Sequence, residues 1–300
     1  MLFTALSVSA ITFEENGFTF ELDVKNRTAR VIGPTRLPQN GIITIPSIAK
    51  YQNQDIPVTE LGEHLTTGCV TFSGNNKIIK VIIPNSIKFI NWNAFSECKN
   101  LKEVKFSDEL KEIRGNAFYG CVSLSSISLP QTLERIGDQA FMGCIAVPEI
   151  EIPSSVKSLG YNAFSDCYAL EKVIISDSKY SLKIDTGTFA QCGAIKEIYI
   201  GRNINSSSSI VNCVRGAFSK LEEIQLGVDV TSIIFNTNGI YNLHKIKCDN
   251  PVPPDARFGD SSKLEQDEFF VKVKILVPKG SLAAYKADRF WSQFWNIEEI

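Results

Sequence analysis

Ala-Phe recurs at Ala94-Phe95, Ala117-Phe118, Ala140-Phe141 and Ala163-Phe164, with every gap 23 residues long. A cysteine follows each pair at one spacing, giving Cys98, Cys121, Cys144 and Cys167. Self-similarity at a period of about 20–30 residues is the signature of stacked repeats, since one such unit cannot bury its own apolar face. The chain is therefore expected to fold as a solenoid in which each coil covers the next. Such a fold offers extended surfaces, which suit binding better than catalysis.

One coil, Leu101 to Ser123, opens Leu101-x-x-Val104-x-Phe106. Its successors read Leu124-x-x-Ile127-x-Leu129, Val147-x-x-Ile150-x-Ile152 and Leu170-x-x-Val173-x-Ile175. Alternation of this kind predicts a strand with one buried face. Pro84, Pro130 and Pro153 end three of these strands, because proline lacks the N–H that a ladder needs. A second apolar pair follows: Ile87 with Ile90, Leu110 with Ile113, Leu133 with Ile136, Val156 with Leu159. Gly115-Asn116, Gly137-Asp138 and Gly160-Tyr161-Asn162 then predict tight turns. The Ala-Phe-x-x-Cys segment is too short for a full helix and is expected to be a single turn pointing Phe and Cys inward.

The pattern extends outward with wear. Ile78-x-x-Val81-x-Ile83 precedes the regular coils; Ile195, Leu221 and Leu243 open later ones. The Phe164–Phe189 gap is 25 residues and the Phe189–Phe218 gap 29, the excess lying in loops such as 206–209. Phe95, Phe118, Phe141, Phe164, Phe189 and Phe218 are expected to form a core ladder. Phe18 to Leu22 and Ala29 to Ile32 flank Asn26-Arg27 as a capping hairpin, with Ile42 to Ile45 as a first worn strand. At the far end Val273-x-Ile275-x-Val277 is expected to be the last strand. A short helix from Ser281 to about Arg289 follows it, and Trp291, Phe294 and Trp295 then close the open end.

The unit Leu-x-x-Ile-x-Leu-Pro, an apolar pair, then Gly-x-x-Ala-Phe-x-x-Cys resembles the BspA-like leucine-rich repeat proteins, over roughly residues 42 to 250. The tail from Val277-Pro278-Lys279-Gly280-Ser281 through Tyr285, Trp291, Phe294 and Asn296-Ile297 is similar to the terminal coil of bacterial members. The fold expected is a curved, β-rich leucine-rich repeat solenoid with a parallel strand face and short turns or 3-10 segments opposite. An N-terminal β-hairpin cap and a C-terminal strand-helix cap complete it. Residues 11–60 form the N-terminal cap and first degenerate repeat, 61–250 the repeats, and 251–300 the capping coil and helix. The resemblance implies a secreted or cell-surface bacterial protein, with some members adhering to host matrix proteins or other cells. It brings no catalytic residues.

Composition narrows the function classes. A net charge of −2 leaves no electrostatic footprint for nucleic acid. No run of about 18 apolar residues exists, so no membrane insertion is expected. Residues 1–10 end in Val8-Ser9-Ala10, which fits either a signal-peptide remnant or, lacking a basic start, a hydrophobic end strand. Only His64 and His244 are present, far apart in the repeat order. The cysteines lack C-x-x-C zinc spacing. Five of the eight, the four above and Cys192, occupy one repeat position and are expected to be reduced core residues. Neither an enzyme nor a cofactor is expected. Asn26-Arg27-Thr28 and Asn205-Ser206-Ser207 match the glycosylation sequon.

The recognition surface is expected on the outward strand positions. These include Lys105, Ser128, Glu151, Ile174, Tyr199 and Gln225, with Lys172 and Glu197 beside them. Ile174 and Tyr199, on adjacent coils, are the proposed anchor. The expected partner is a host matrix or cell-surface protein. Two other readings stand beside it: a structural spacer without its own ligand, and a carbohydrate-binding protein using Tyr199 and the terminal tryptophans.

Overall fold

The computed structural model describes residues 11–62, 72–205, 219–235, 239–259 and 263–300. The readings placed on residues 1–10, His64, residues 206–209 and Phe218 lie outside these.

Alternation in most of the described coils does produce strands. Ile42–Thr44, Lys80–Ile82 and Glu103–Lys105 pair in parallel. Glu149–Ile152, Lys172–Ile175, Glu197–Arg202, Glu223–Asp229, Lys245–Cys248, Lys274–Val277 and Asn296–Glu299 form a longer parallel sheet. Inward and outward side chains alternate, with Ile150 and Ile152 buried and Glu149 and Glu151 exposed. The coil between the two sheets differs from expectation: residues 125–128 carry no strand. Ser125, Ser126 and Ser128 fall there. Their short side chains give little cross-strand contact.

All three prolines start a turn, and Pro84 and Pro153 do so just past a strand. Pro84, Pro130 and Pro153 offer their carbonyls to the amides of Ile87, Leu133 and Val156, at 3.0–3.1 Å. The chain then enters a second parallel row through Phe89–Ile90, Glu112–Ile113, Arg135–Ile136, Ser158–Leu159 and Leu182–Ile184. This second row stands beside the short turns expected opposite the strand face, which the Ala-Phe-x-x-Cys segments supply. The apolar pair is too short to show alternation, so its pairing is visible only once coils stack.

The Ala-Phe-x-x-Cys segment makes a third ladder. Asn93, Asn116, Gln139 and Asn162 hold left-handed backbone, with φ between 53 and 56°. Asparagine tolerates that conformation better than most side chains. The amides of Phe95, Phe118 and Phe141 then donate to Ala117, Ala140 and Ala163 of the following coil, at 2.7–2.8 Å. The glycines beside these turns serve a different purpose from the one expected. A Cβ on Gly137 would lie 2.7 Å from the backbone nitrogen of Gly115. Glycine is required there by the approach of successive coils.

Phenylalanine fills the centre. Phe72, Phe95, Phe118, Phe141, Phe164 and Phe189 stack with ring centroids 5.0–5.7 Å apart. Phe72 begins the stack although no alanine precedes it. The cysteines do more than fill space. The Sγ of Cys98, Cys121, Cys144, Cys167 and Cys192 lies 3.0–3.5 Å from the carbonyl of the preceding coil's stacked Phe. A small, weakly donating thiol meets both needs at once. Burial pushes the thiols of Cys98 and Cys144 up to about 12.

Arg202 is buried (1% exposed) where the Glu197–Arg202 strand ends. Its guanidinium donates to the carbonyls of Pro153, Ser154 and Val156 at 2.8–2.9 Å, clasping a turn two coils away. Burial lowers its pKa to about 10.

Both ends are closed. Ile11–Glu15, Phe18–Asp23 and Thr28–Pro34 form an antiparallel meander containing the expected hairpin. Asn16-Gly17, with φ of 49° and 82°, makes the additional turn. Thr28–Pro34 then pairs in parallel with Gln54–Leu61, carrying the cap into the second row. At the other end the helices Lys263–Lys272 and Leu282–Ala287 pack beside the last coils, the first of them unanticipated. Asn296–Glu299, rather than Lys274–Val277, is the last strand. Trp291 is fully buried, its Nε1 donating to the Pro254 carbonyl at 2.8 Å, and Phe294 packs against it. Trp295 is 80% exposed and is no part of the plug.

Candidate functional site

The longer sheet sets the outward side chains in register. Glu151, Ile174, Tyr199 and Gln225 are Cα partners in succession, continuing to Lys247, Leu276 and Glu298. A parallel line runs Glu149, Lys172, Glu197, Glu223, Lys245, Lys274. Because parallel strands sit about 4.8 Å apart, these side chains touch from coil to coil.

Five of the expected residues meet in one place. Lys172, Ile174, Glu197, Tyr199 and Gln225 line a shallow depression of about 220 Å³, joined by Ile198 and Glu223. Ile174 and Tyr199 are half-buried within it. Lys105 lies on the other sheet, and Ser128 on the coil that carries no strand. Glu151 is next to Ile174 in register, yet it lies outside the depression. Leu276 was missed. It is half-buried on the same outward line, three partners beyond Tyr199, and continued alternation in the last repeat was the signal for it.

Most polar groups here are engaged with one another. Tyr199 donates its hydroxyl to Asp177 Oδ1 at 2.6 Å, and Gln225 donates to Asp249 Oδ2 at 2.5 Å. Lys172 and Glu197 face each other at 3.7 Å, while Glu223 pairs with Lys245. Glu151 accepts from Ser176 at 2.9 Å. Burial and the Asp177 carboxylate push the Tyr199 phenol well up, so it remains a neutral donor. The tyrosine is held upright by a crowded floor: a Cβ on Gly227 would lie 2.5 Å from Asp177 Oδ1 and 2.6 Å from the Tyr199 hydroxyl. The result is a preorganised apolar-aromatic step within a charged frame.

Among the described residues no group of three or more His, Cys, Asp or Glu side chains is placed to hold a metal. The His244 ring is exposed, with Nδ1 3.2 Å from the Asn242 carbonyl. No helix among the described residues is long and apolar enough to cross a membrane.

The sequence profile of the BspA type leucine rich repeat region matches residues 66–178 and 111–247, in six copies. Among solved structures the fold is similar to a leucine-rich repeat protein from Bacteroides ovatus ATCC 8483, with TM-score 0.60 and 24% identity. The alignment spans 96% of this chain and 76% of that one. It is similar also to the T. pallidum leucine rich repeat protein, with TM-score 0.53 and 24% identity over 78% of this chain and 91% of that one. No curated protein matches the chain.

Proposed function

Because this chain belongs to the BspA-type leucine-rich repeat family, we propose that it is a non-enzymatic protein-recognition module that binds through its strand face. The proposal includes a secreted or cell-surface bacterial setting and a host matrix or cell-surface protein as partner. The observation that carries it is the depression holding Ile174 beside Tyr199. Interfaces concentrate their binding energy in a few well-packed aromatic and apolar anchors framed by polar groups. The internal pairing of Lys172 with Glu197 lowers the conformational entropy that binding would otherwise cost.

Changing Ile174 and Tyr199 together to aspartate is expected to abolish capture of partner from host extracellular matrix or neighbouring bacterial cells. Both side chains point outward, so the thermal midpoint should move by only a few degrees. Unfolding of the double variant would assign the pair to the core; undiminished capture would place the binding surface elsewhere.

The same network supports a second reading, a spacer without a ligand. Glu151, Gln225, Lys172 and Glu223 all have partners on neighbouring coils. No saturable capture from either source would favour it.

A further inference from the structure

A groove lies away from the strand-face depression. It encloses about 940 Å³ between the loop at residues 34–39 and the segments around Lys77 and Lys102. Volumes on the order of 300–1,000 Å³ are usual for small-molecule sites. A second hollow of about 530 Å³ adjoins it, sharing Pro34, Leu37, Asn75, Asn76 and Lys77.

The walls are fixed. The amides of Thr35 and Arg36 both donate to the Gly17 carbonyl, at 2.8 and 3.3 Å. Pro34 and Pro38 restrict the loop between them. Gly41 joins the loop to the floor, accepting from Ile79 at 2.8 Å. Its φ is +68°, and a Cβ there would lie 2.5 Å from the Lys77 carbonyl, so the junction demands glycine.

The lining has one sign of charge. Arg36, Lys77 and Lys102 are exposed cations, and no aspartate or glutamate lines the groove. Nearby acids are already paired, Glu97 with Lys99 at 3.3 Å and Glu103 with Lys80 at 2.7 Å. In a protein of net charge −2 this is a local positive field set in a concave wall, the arrangement that concentrates an anion.

The remaining chemistry selects among anions. Asn76 uses its side-chain oxygen on the Lys99 amide, and Asn100 uses its side-chain nitrogen on the Asn76 carbonyl. The NH₂ of Asn76, the oxygen of Asn100 and the whole Gln39 amide are left to face a ligand. Amides both donate and accept, as hydroxyl groups require. Leu37 and Ile79, the latter 43% exposed, add an apolar ledge. No aromatic side chain lines the groove. That disfavours a peptide anchor or a stacked base.

We propose that this groove binds an acidic saccharide. Arg36, Lys77 and Lys102 pair with its carboxylate or sulfate groups, the amides bond its hydroxyls, and the ledge receives a ring's C–H face. The proposal is independent of the strand-face reading.

The test is titration of the full chain, by calorimetry, with trigalacturonate (carboxylate) and a heparin-derived hexasaccharide (sulfate). Maltotriose, a glutamate hexapeptide and a single-stranded oligonucleotide serve as comparators. At least one acidic saccharide should bind about tenfold or more tightly than every comparator, with affinity falling as salt rises. Which of the two binds identifies the anionic group. The triple change Arg36→Glu, Lys77→Glu, Lys102→Glu should weaken that binding at least about tenfold, since charged hydrogen bonds are replaced by repulsion. All three side chains are exposed, so the unfolding midpoint serves as the fold control. The Ile174→Asp, Tyr199→Asp variant should bind the saccharide as the parent does. The proposal is overturned if neither saccharide binds, if the peptide or oligonucleotide binds as tightly, or if the triple variant is unimpaired. Loss of binding in the strand-face variant would overturn it too.

Discussion

Phe141→Ala is expected to destabilise the protein by about 3–5 kcal/mol in equilibrium chemical denaturation. Phe141 is fully buried at the centre of the stack, 5.1 Å from Phe118 and 5.3 Å from Phe164, nearly parallel to both. Alanine removes the transfer energy of the ring and leaves a cavity walled by two other rings. Neither neighbour can collapse into it, because each is tied to its own coil through the amide ladder. Repeat stability depends on contacts between nearest neighbours, so the break falls on two interfaces at once. Phe141→Leu keeps most of the volume and should cost about 1–1.5 kcal/mol. A loss below about 1 kcal/mol for the alanine variant would mean that the stack does not carry the core.

Alkaline pH is expected to unfold the protein through its thiols. Burial pushes Cys98, Cys144 and Cys248 from 9.0 to about 12. A thiol with a higher pKa in the folded chain keeps its proton where the unfolded chain has lost it. That contribution is complete below pH 9 and is lost as pH rises through about 12. At about 1.4 kcal/mol per pH unit for each thiol, three of them make a steep decline. Burial pushes the Tyr285 phenol upward and adds a loss of the same sign. The denaturation midpoint should therefore be level to about pH 8 and fall steeply between 9 and 12. Replacing Cys98, Cys144 and Cys248 by alanine should reduce that slope, whatever it does to stability at neutral pH; an unchanged slope would refute the thiol account. Ellman's reagent should find the native thiols unreactive at pH 8. After denaturation without reductant it should count at least the five ladder cysteines. A count of three or fewer would show that they pair.

The repeat was legible because each coil states its own pattern. Val173 and Ile175 alternate with outward Lys172 and Ile174, and the structure keeps that division. Register between coils was legible too, since each coil restates the same apolar pattern. Ile174 beside Tyr199 followed from their equal place in that pattern, although the coil between them is 25 residues long. Prediction weakened where the period changed or the pattern shortened. The two-residue strand Glu112–Ile113 has no alternation to detect. The coil through Ser128 has the right apolar spacing but lacks side chains that reward strand pairing. Trp295 sits one residue from Phe294 and was grouped with it, although the change from 3-10 turn to extended chain there sends it outward.

The sequence by itself determined the coil period, the inward residues and the outward line of side chains, because these follow from local spacing and the need to bury apolar surface. Tertiary structure alone decided which groups answer one another across coils. Cys144 reaches the carbonyl of Phe118, Arg202 clasps a turn 46 to 49 residues earlier, and Arg36 faces Lys77 and Lys102 across a groove. No local pattern encodes such meetings. They arise from the offset at which one coil is laid on the next.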